Sequence, residues 1–347
     1  MNILIVKLGS IGDIVHTLPV VSHIKSCLPE AGISWAVERK SAEILRGNEL
    51  IDHLFEIDTR KLRGRRLGYS SLSVFGQSIR SLRRQRFDIA LDLQGLVKSA
   101  AVAKLSGARI RCGFAKGSLR EPASRFLLNQ TFEVRDDVHV INKNLLLAAH
   151  ALDLHLADGP PVFHISTTYA HRTEADQIIK DAGPEFAILN PAGGWPTKLW
   201  PARNFGILAD LLWERFQLRS VITVGPRESA LAEEAAGTAR KQAPIIARPS
   251  LKGFYELARR ARVYVGGDTG PTHIAAAAGA PIIGIFGPTE WWRNGSLNPL
   301  DFCVGREDIS CRIDCHRRSC SKWICMDIAP ETVLAAVKKR LGETNRG

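Results

Sequence analysis

The 347-residue chain has no run of about eighteen uncharged apolar residues, so its sequence offers no membrane-spanning helix. It also lacks the G-x-x-x-x-G-K-[ST] pattern, which excludes a P-loop nucleotidase. The stretch "LGSIGD" (8–13) falls short of G-x-G-x-x-G, which argues against a nicotinamide enzyme. Aromatic residues make up only 7% of the chain, and its basic run "TRKLRGRRLGY" (59–69) contains one. Base-stacking surfaces combine cations with aromatic rings, so nucleic acid is not the expected partner. No signal peptide is expected either. In "MNILIVKLGSIGDIVHTLPVV", Lys7 and Asp13 interrupt the apolar stretch and glycines fall where a strand-to-loop turn wants them. That stretch reads as a first buried strand, and the protein is expected to be cytoplasmic.

What is present is ordinary in bulk and informative in detail. Hydrophobic residues make up 45% and charged residues 24%, as in a soluble globular protein, and the length suits two domains. A formal net charge of +12 implies an anionic partner. Strand-like runs alternate with helical ones, the pattern of a parallel α/β sheet covered on both faces. They include 2–7, 32–38, 53–58 and 87–93; after a polar, proline-containing passage at 157–166, the pattern restarts at 186–191, 220–225, 244–248, 263–267 and 281–287. We therefore expect two doubly wound, Rossmann-like domains facing a cleft, over 1–165 and 166–330, with 331–347 as a C-terminal helix and tail. In such sheets ligands bind beyond the carboxyl ends of the strands, which makes the polar loops there the candidates.

The stretch "VYVGGDTGPTHIAAAAGAPIIGIFGP" (263–288) reads as strand, tight loop, helix and strand. Pro271 suits the first helical turn, with Gly270 near the cap. The N–H groups of Thr272 and His273 are expected to lack intrahelical partners and, with the helix dipole, to offer a phosphate site. Asp268 would repel phosphate, so it either tethers loop N–H groups or holds a sugar hydroxyl. In "NPAGGWPTKLWP" (190–201), Gly193 and Gly194 allow close backbone approach and Lys198 is a mobile point charge suited to phosphate. Glu228 is either a ribose-binding carboxylate or a helix-start residue favoured by the dipole. In the first half, Gly9, Ser10, Gly12 and Asp13 follow the first strand. Asp13 is expected in the first turn of a helix, as a dipole-favoured carboxylate or as a general base; His16, one turn deeper, is expected to be packed.

Five of the seven cysteines fall between 303 and 325, and Cys311, Cys315, Cys320 and Cys325 are spaced C-x₃-C-x₄-C-x₄-C. In a reducing cytoplasm, four such thiols suggest a structural Zn or Fe site, with reduced packing thiols as the alternative.

Together, "VKLGSIGDIVHTLP", "VERKSAEI", "DLQGLVKSA", "REPAS", "KLWP" and "GGDTGPTHIAAAAGAPIIGIFGPT" resemble glycosyltransferase family 9, the ADP-heptose:lipopolysaccharide heptosyltransferases, with the heptosyltransferase I type closest. The resemblance implies a GT-B fold and inverting transfer from ADP-heptose to a Kdo hydroxyl of lipid A–Kdo₂, without a catalytic metal or other catalytic cofactor. It implies a protein peripheral to the inner face of the cytoplasmic membrane. It makes Asp13 the general base and assigns Lys198, Glu228, Asp268, Thr269, Gly270 and His273 to the nucleotide sugar, beside Gly193 and Gly194. Ser10, Gly12, Arg60, Arg63, Lys98 and Arg120 fall on the acceptor side. The cysteine-rich tail departs from the simplest heptosyltransferase I pattern, and it leaves a heptosylated core or a protein open as acceptor. A non-catalytic nucleotide-sugar-binding protein of the same fold is the remaining alternative.

Overall fold

A computed structural model describes the chain except for residues 59–68, 120, 136, 157, 312–314, 316 and 345–347. It divides into two compact units, Met1–Ser166 and Thr167–Gly347. Unit 1 carries strands β1 (Asn2–Val6), β2 (Gly32–Glu38), β3 (His53–Ile57), β4 (Ile89–Asp92), β5 (Ile110–Phe114) and β6 (Gln130–Phe132). Unit 2 carries β7 (Phe186–Asn190), β8 (Arg219–Thr223), β9 (Ile245–Ala247), β10 (Val263–Gly267), β11 (Ile282–Ile285) and β12 (Phe302–Val304). The sequence reading found nine of these twelve; β5, β6 and β12 were missed.

Every strand pairing is parallel. That explains why strands such as β1 and β10 are continuous apolar runs: Ile3–Val6 and Val263–Val265 are wholly buried, because helices cover both sheet faces. The two sheets have the orders β3-β2-β1-β4-β5-β6 and β12-β11-β10-β7-β8-β9. Counted from the first strand of each unit, the two orders are the same, and each reverses direction between its first and fourth strands. Those switch points lie between β1 and β4, and between β7 and β10. In a doubly wound sheet the loops diverge there, leaving room for a ligand at the carboxyl ends.

The turn after β1 depends on a glycine. Gly9 has φ +144°, and a Cβ there would come within 3.1 Å of the Ser41 hydroxyl oxygen. The helix Pro330–Thr344 belongs to unit 2: Val333, Val337 and Leu341 join the core that also holds Leu208, Leu212, Ile283 and Val304.

Candidate functional site

In unit 2 the switch point holds a buried ionic cluster. β7 and β10 lie side by side in register, Leu189 opposite Val265 and Asn190 opposite Gly266, so the loops that follow them emerge together. Lys198 comes from the first loop and Asp268 from the second. The Lys198 ammonium is 2.5 Å from Asp268 Oδ2. His273 Nε2 is 3.2 Å from Oδ1, and Asn294 Nδ2 donates to the same oxygen at 2.7 Å. Asp268 therefore binds the side chains of Lys198, His273 and Asn294, in place of the loop N–H groups that were one of the two expectations for it. Burial alone would raise its carboxyl pKa. The hydrogen bond and charge of His273, with the Lys198 ammonium, outweigh that and hold it well below the usual carboxylate range. The Asp268 carboxylate stays ionised and positions Lys198, whose ammonium also lies 4.2 Å over the Trp195 ring.

The helix Gly270–Ala277 starts at this point, with Thr269 as its N-cap residue. The sequence reading left both the Thr272 and His273 N–H groups free. Instead His273 N–H donates to the Thr269 carbonyl at 3.3 Å, because it is the fourth residue of the helix and already within reach of the cap carbonyl. Thr272 is wholly inside, with its hydroxyl bonded to Gly267 O and 2.9 Å from the Tyr264 hydroxyl. Gly193 and Gly194 lie in the loop after β7: a Cβ at 193 would come 2.7 Å from Leu199 Cδ2, whereas position 194 faces open space. Glu228 is the N-cap residue of Ser229–Thr238, and its Oε2 accepts from Gly225 N at 2.7 Å. It does sit at a helix start, with one carboxylate oxygen left over.

Unit 1 carries the second constellation. Asp13 lies in the first turn of Ile11–Val15 and forms a capping box with Ser10. Its Oδ2 accepts from Ser10 N at 2.7 Å and from the Ser10 hydroxyl at 3.1 Å. Gly12 is buried beside it. His16 is packed, 5% exposed, with its ring 5.8 Å from that of His139. The neighbouring loop after β4 braces this one: Gln94 Oε1 accepts from Leu8 N at 3.0 Å and Gly9 N at 3.3 Å. Lys98 pairs with buried Glu38 at 3.3 Å. Arg60, Arg63 and Arg120 lie outside the described residues.

Sequence reasoning missed Asn294, Trp195, Gln94 and Asp92. Trp195 stood within "NPAGGWPTKLWP", and Asp92 and Gln94 within "DLQGLVKSA", without being given a role; Asn294 lay outside every stretch singled out and acts through a tertiary contact that no local pattern signals.

Cys311, Cys315, Cys320 and Cys325 line one cavity of about 570 Å³, together with Thr197, Gly287 and Trp323. All four are free thiols. Among the described residues, however, no group of three or more His, Cys, Asp or Glu side chains is placed to hold a metal ion. The four thiols share a wall without forming a ligand set, so the expected Zn or Fe site finds no support in their arrangement. Burial, with Cys311, Cys320 and Cys315 nearby, raises the Cys325 thiol pKa.

Residues 76–324 match the model of glycosyltransferase family 9 (heptosyltransferase). The chain is 27% identical over 326 residues to lipopolysaccharide heptosyltransferase 1 of Pseudomonas aeruginosa, covering 92% of this chain and 88% of that one. It is 26% identical over 346 residues to lipopolysaccharide heptosyltransferase 3 of Escherichia coli, covering 97% and 98%. Among solved structures, it superimposes on E. coli heptosyltransferase WaaC with ADP at a TM-score of 0.79 and 23% identity, over 98% of this chain and all of that one. The two six-stranded parallel sheets are those of that fold.

Proposed function

The chain belongs to glycosyltransferase family 9, the heptosyltransferases, and from that premise we propose that it transfers L-glycero-D-manno-heptose from ADP-heptose to a Kdo hydroxyl of lipid A–Kdo₂, with inversion, in lipopolysaccharide inner-core synthesis. The observation that carries this reading is the buried Lys198–Asp268–His273 cluster at the switch point of the second sheet. It presents a fixed ammonium beside a glycine loop and a helix start, the equipment for a diphosphate. Glu228, with one oxygen uncommitted, accepts from the ribose hydroxyls. Gly193, Gly194, Thr269 and Gly270 let phosphate and sugar approach the backbone.

In unit 1, Asp13 takes the proton from the attacking acceptor hydroxyl. The new bond forms between that oxygen and the anomeric carbon, on the face opposite ADP. The bond from the anomeric carbon to the diphosphate breaks, and its electron pair leaves on ADP, whose charge Lys198 stabilises. Ser10, Gly12, Lys98, Arg60, Arg63 and Arg120 bind the anionic acceptor; arginine forks match Kdo carboxylates and lipid phosphates. Cationic side chains carry the charge neutralisation, so no catalytic metal enters the scheme. The positive net charge and an anionic lipid acceptor support a protein that works in the cytoplasm against the inner membrane surface.

The test is a product assay with ADP-heptose against lipid A–Kdo₂, a heptosylated core and candidate proteins, read by ADP release and product mass. Transfer to lipid A–Kdo₂ is expected. Transfer confined to another acceptor would reassign the substrate, and ADP-heptose binding with no transfer at all would make this a binding protein.

A further inference from the structure

The cysteine-rich segment is pressed against the proposed donor loops. Trp323 Nε1 donates to Thr197 O at 3.1 Å, and the Thr197 hydroxyl donates to Arg317 O at 2.5 Å. Gly287, just beyond β11, lets the chain close in: a Cβ there would come 2.3 Å from Met326 Sδ and 3.1 Å from Cys325 Sγ. The segment thereby delivers the Arg318 guanidinium to the ring of Trp195, 5.4 Å from its centroid. The Lys198 ammonium lies over the same ring at 4.2 Å.

Two cations gathered at one indole repel each other, and a ring face offsets only about 0.5–1 kcal/mol per exposed cation. Lys198 has Asp268 to balance it. Arg318 is exposed and, among the described residues, no carboxylate pairs with it. The loop therefore carries uncompensated positive charge at the point where Lys198 is fixed. An anionic group with two or more acceptor oxygens is the chemistry that completes it, and a planar guanidinium engages phosphate through two parallel donors.

We propose that Arg318, delivered by the cysteine-rich segment and seated on Trp195, is a second cation of the donor diphosphate site. The proposal rests on the reading of Lys198 as a donor residue. It gives the segment a role in substrate binding that needs no metal: it is the arm that brings Arg318 to the ring.

Calorimetric titration of the full chain with ADP tests this, with adenosine measured by displacement. Arg318→Gln is expected to weaken ADP about tenfold, as for one charged hydrogen-bonding contact, and to leave adenosine unchanged. Arg318→Lys should recover part of the loss, and the acceptor KM should not move. Because Arg318 is exposed, the variant should keep its melting temperature. Equal ADP affinity for the wild type and Arg318→Gln overturns the proposal and leaves the donor reading standing. An equal loss for adenosine shows that the residue shapes the loop without meeting phosphate, which also overturns it. Wild-type protein that binds no ADP overturns the donor reading and this proposal with it.

Discussion

Asp13 has two carboxylate oxygens and only one is committed. Oδ2 accepts from the Ser10 N–H and hydroxyl, which fixes the side chain at the start of its helix. An asparagine can keep that cap through its amide oxygen but cannot take a proton. Asp13→Asn is therefore expected to lower kcat by about 10²–10⁴-fold while fold and ADP affinity persist; near-normal kcat at saturating acceptor would move the base elsewhere. Asp92, opposite Val6 in the strand beside β1, tells a different story. It is fully buried at the end of β4, its Oδ1 accepts from Gln94 N and Gly95 N, and its Oδ2 has no partner. Burial pushes its carboxyl up to about 6, against the pull of Ser99, the two backbone donors and Lys7. A folded pKa above the unfolded value of about 3.9 means that the native state holds the proton more tightly. Its contribution to stability is full below about pH 4 and is lost as pH rises through about 6, by roughly 3 kcal/mol in total. Melting temperatures of Asp92→Asn between pH 4 and 7 should vary less than those of the wild type; parallel profiles would show that the carboxyl does not titrate there. The contrast shows what a sequence can reveal at this scale. Asp13, Lys198 and Asp268 were legible because glycines and strand ends mark their loops. Asn294 and the burial of Asp92 were not, because both arise from chain segments that are distant in sequence.

Elements were legible where several successive residues are buried. β1, β7, β10 and β11 are apolar runs because both faces of a parallel sheet are covered. β6 and β12 are three-residue edge strands, too short to carry a period, whereas β9, equally short, was legible from the apolar run Ile245–Ala247; β5 contains Arg111 and Gly113 among its five residues. The same limit hid how the last helix is attached. Val333, Val337 and Leu341 recur every four residues and bury one face. Buried Arg340 adds an ion pair, its Nε 2.9 Å from Asp301 Oδ1, and that oxygen also accepts from Ile282 N at 2.9 Å. One carboxylate thus joins the helix Pro330–Thr344 to β11. Asp301→Ala leaves a buried guanidinium and a backbone donor without their acceptor, and urea unfolding should show a loss of about 3–5 kcal/mol. Asp301→Asn, which keeps an acceptor oxygen, should cost less. A loss below about 1 kcal/mol for the alanine variant would mean that apolar contacts alone hold the helix.

For the molecule as a whole, charge is what the fold leaves unexplained. Lys and Arg number 47 against 35 Asp and Glu, and "TRKLRGRRL" (59–67) holds five of those cations. Such an excess does nothing for folding, where like charges repel, and it suits the anionic surface proposed as this protein's partner. Among the described residues no helix is long and apolar enough to cross a membrane. Each basic side chain close to an anionic bilayer contributes about 1 kcal/mol, and the effect fades over a Debye length of about 8 Å at physiological salt. Five such residues are enough for reversible binding and too few for permanent anchoring. Cosedimentation should therefore show the protein with phosphatidylglycerol-containing vesicles at low salt and not with phosphatidylcholine alone. Raising the salt to about 0.5 M should release it, since the Debye length then falls to a few ångströms. Neutralising Arg60 and Arg63 should weaken the binding without altering ADP affinity, which separates attraction to the surface from occupancy of the donor site. Equal binding to neutral vesicles, or binding indifferent to salt, would place the attachment in apolar contacts and leave the excess charge to the soluble part of the acceptor.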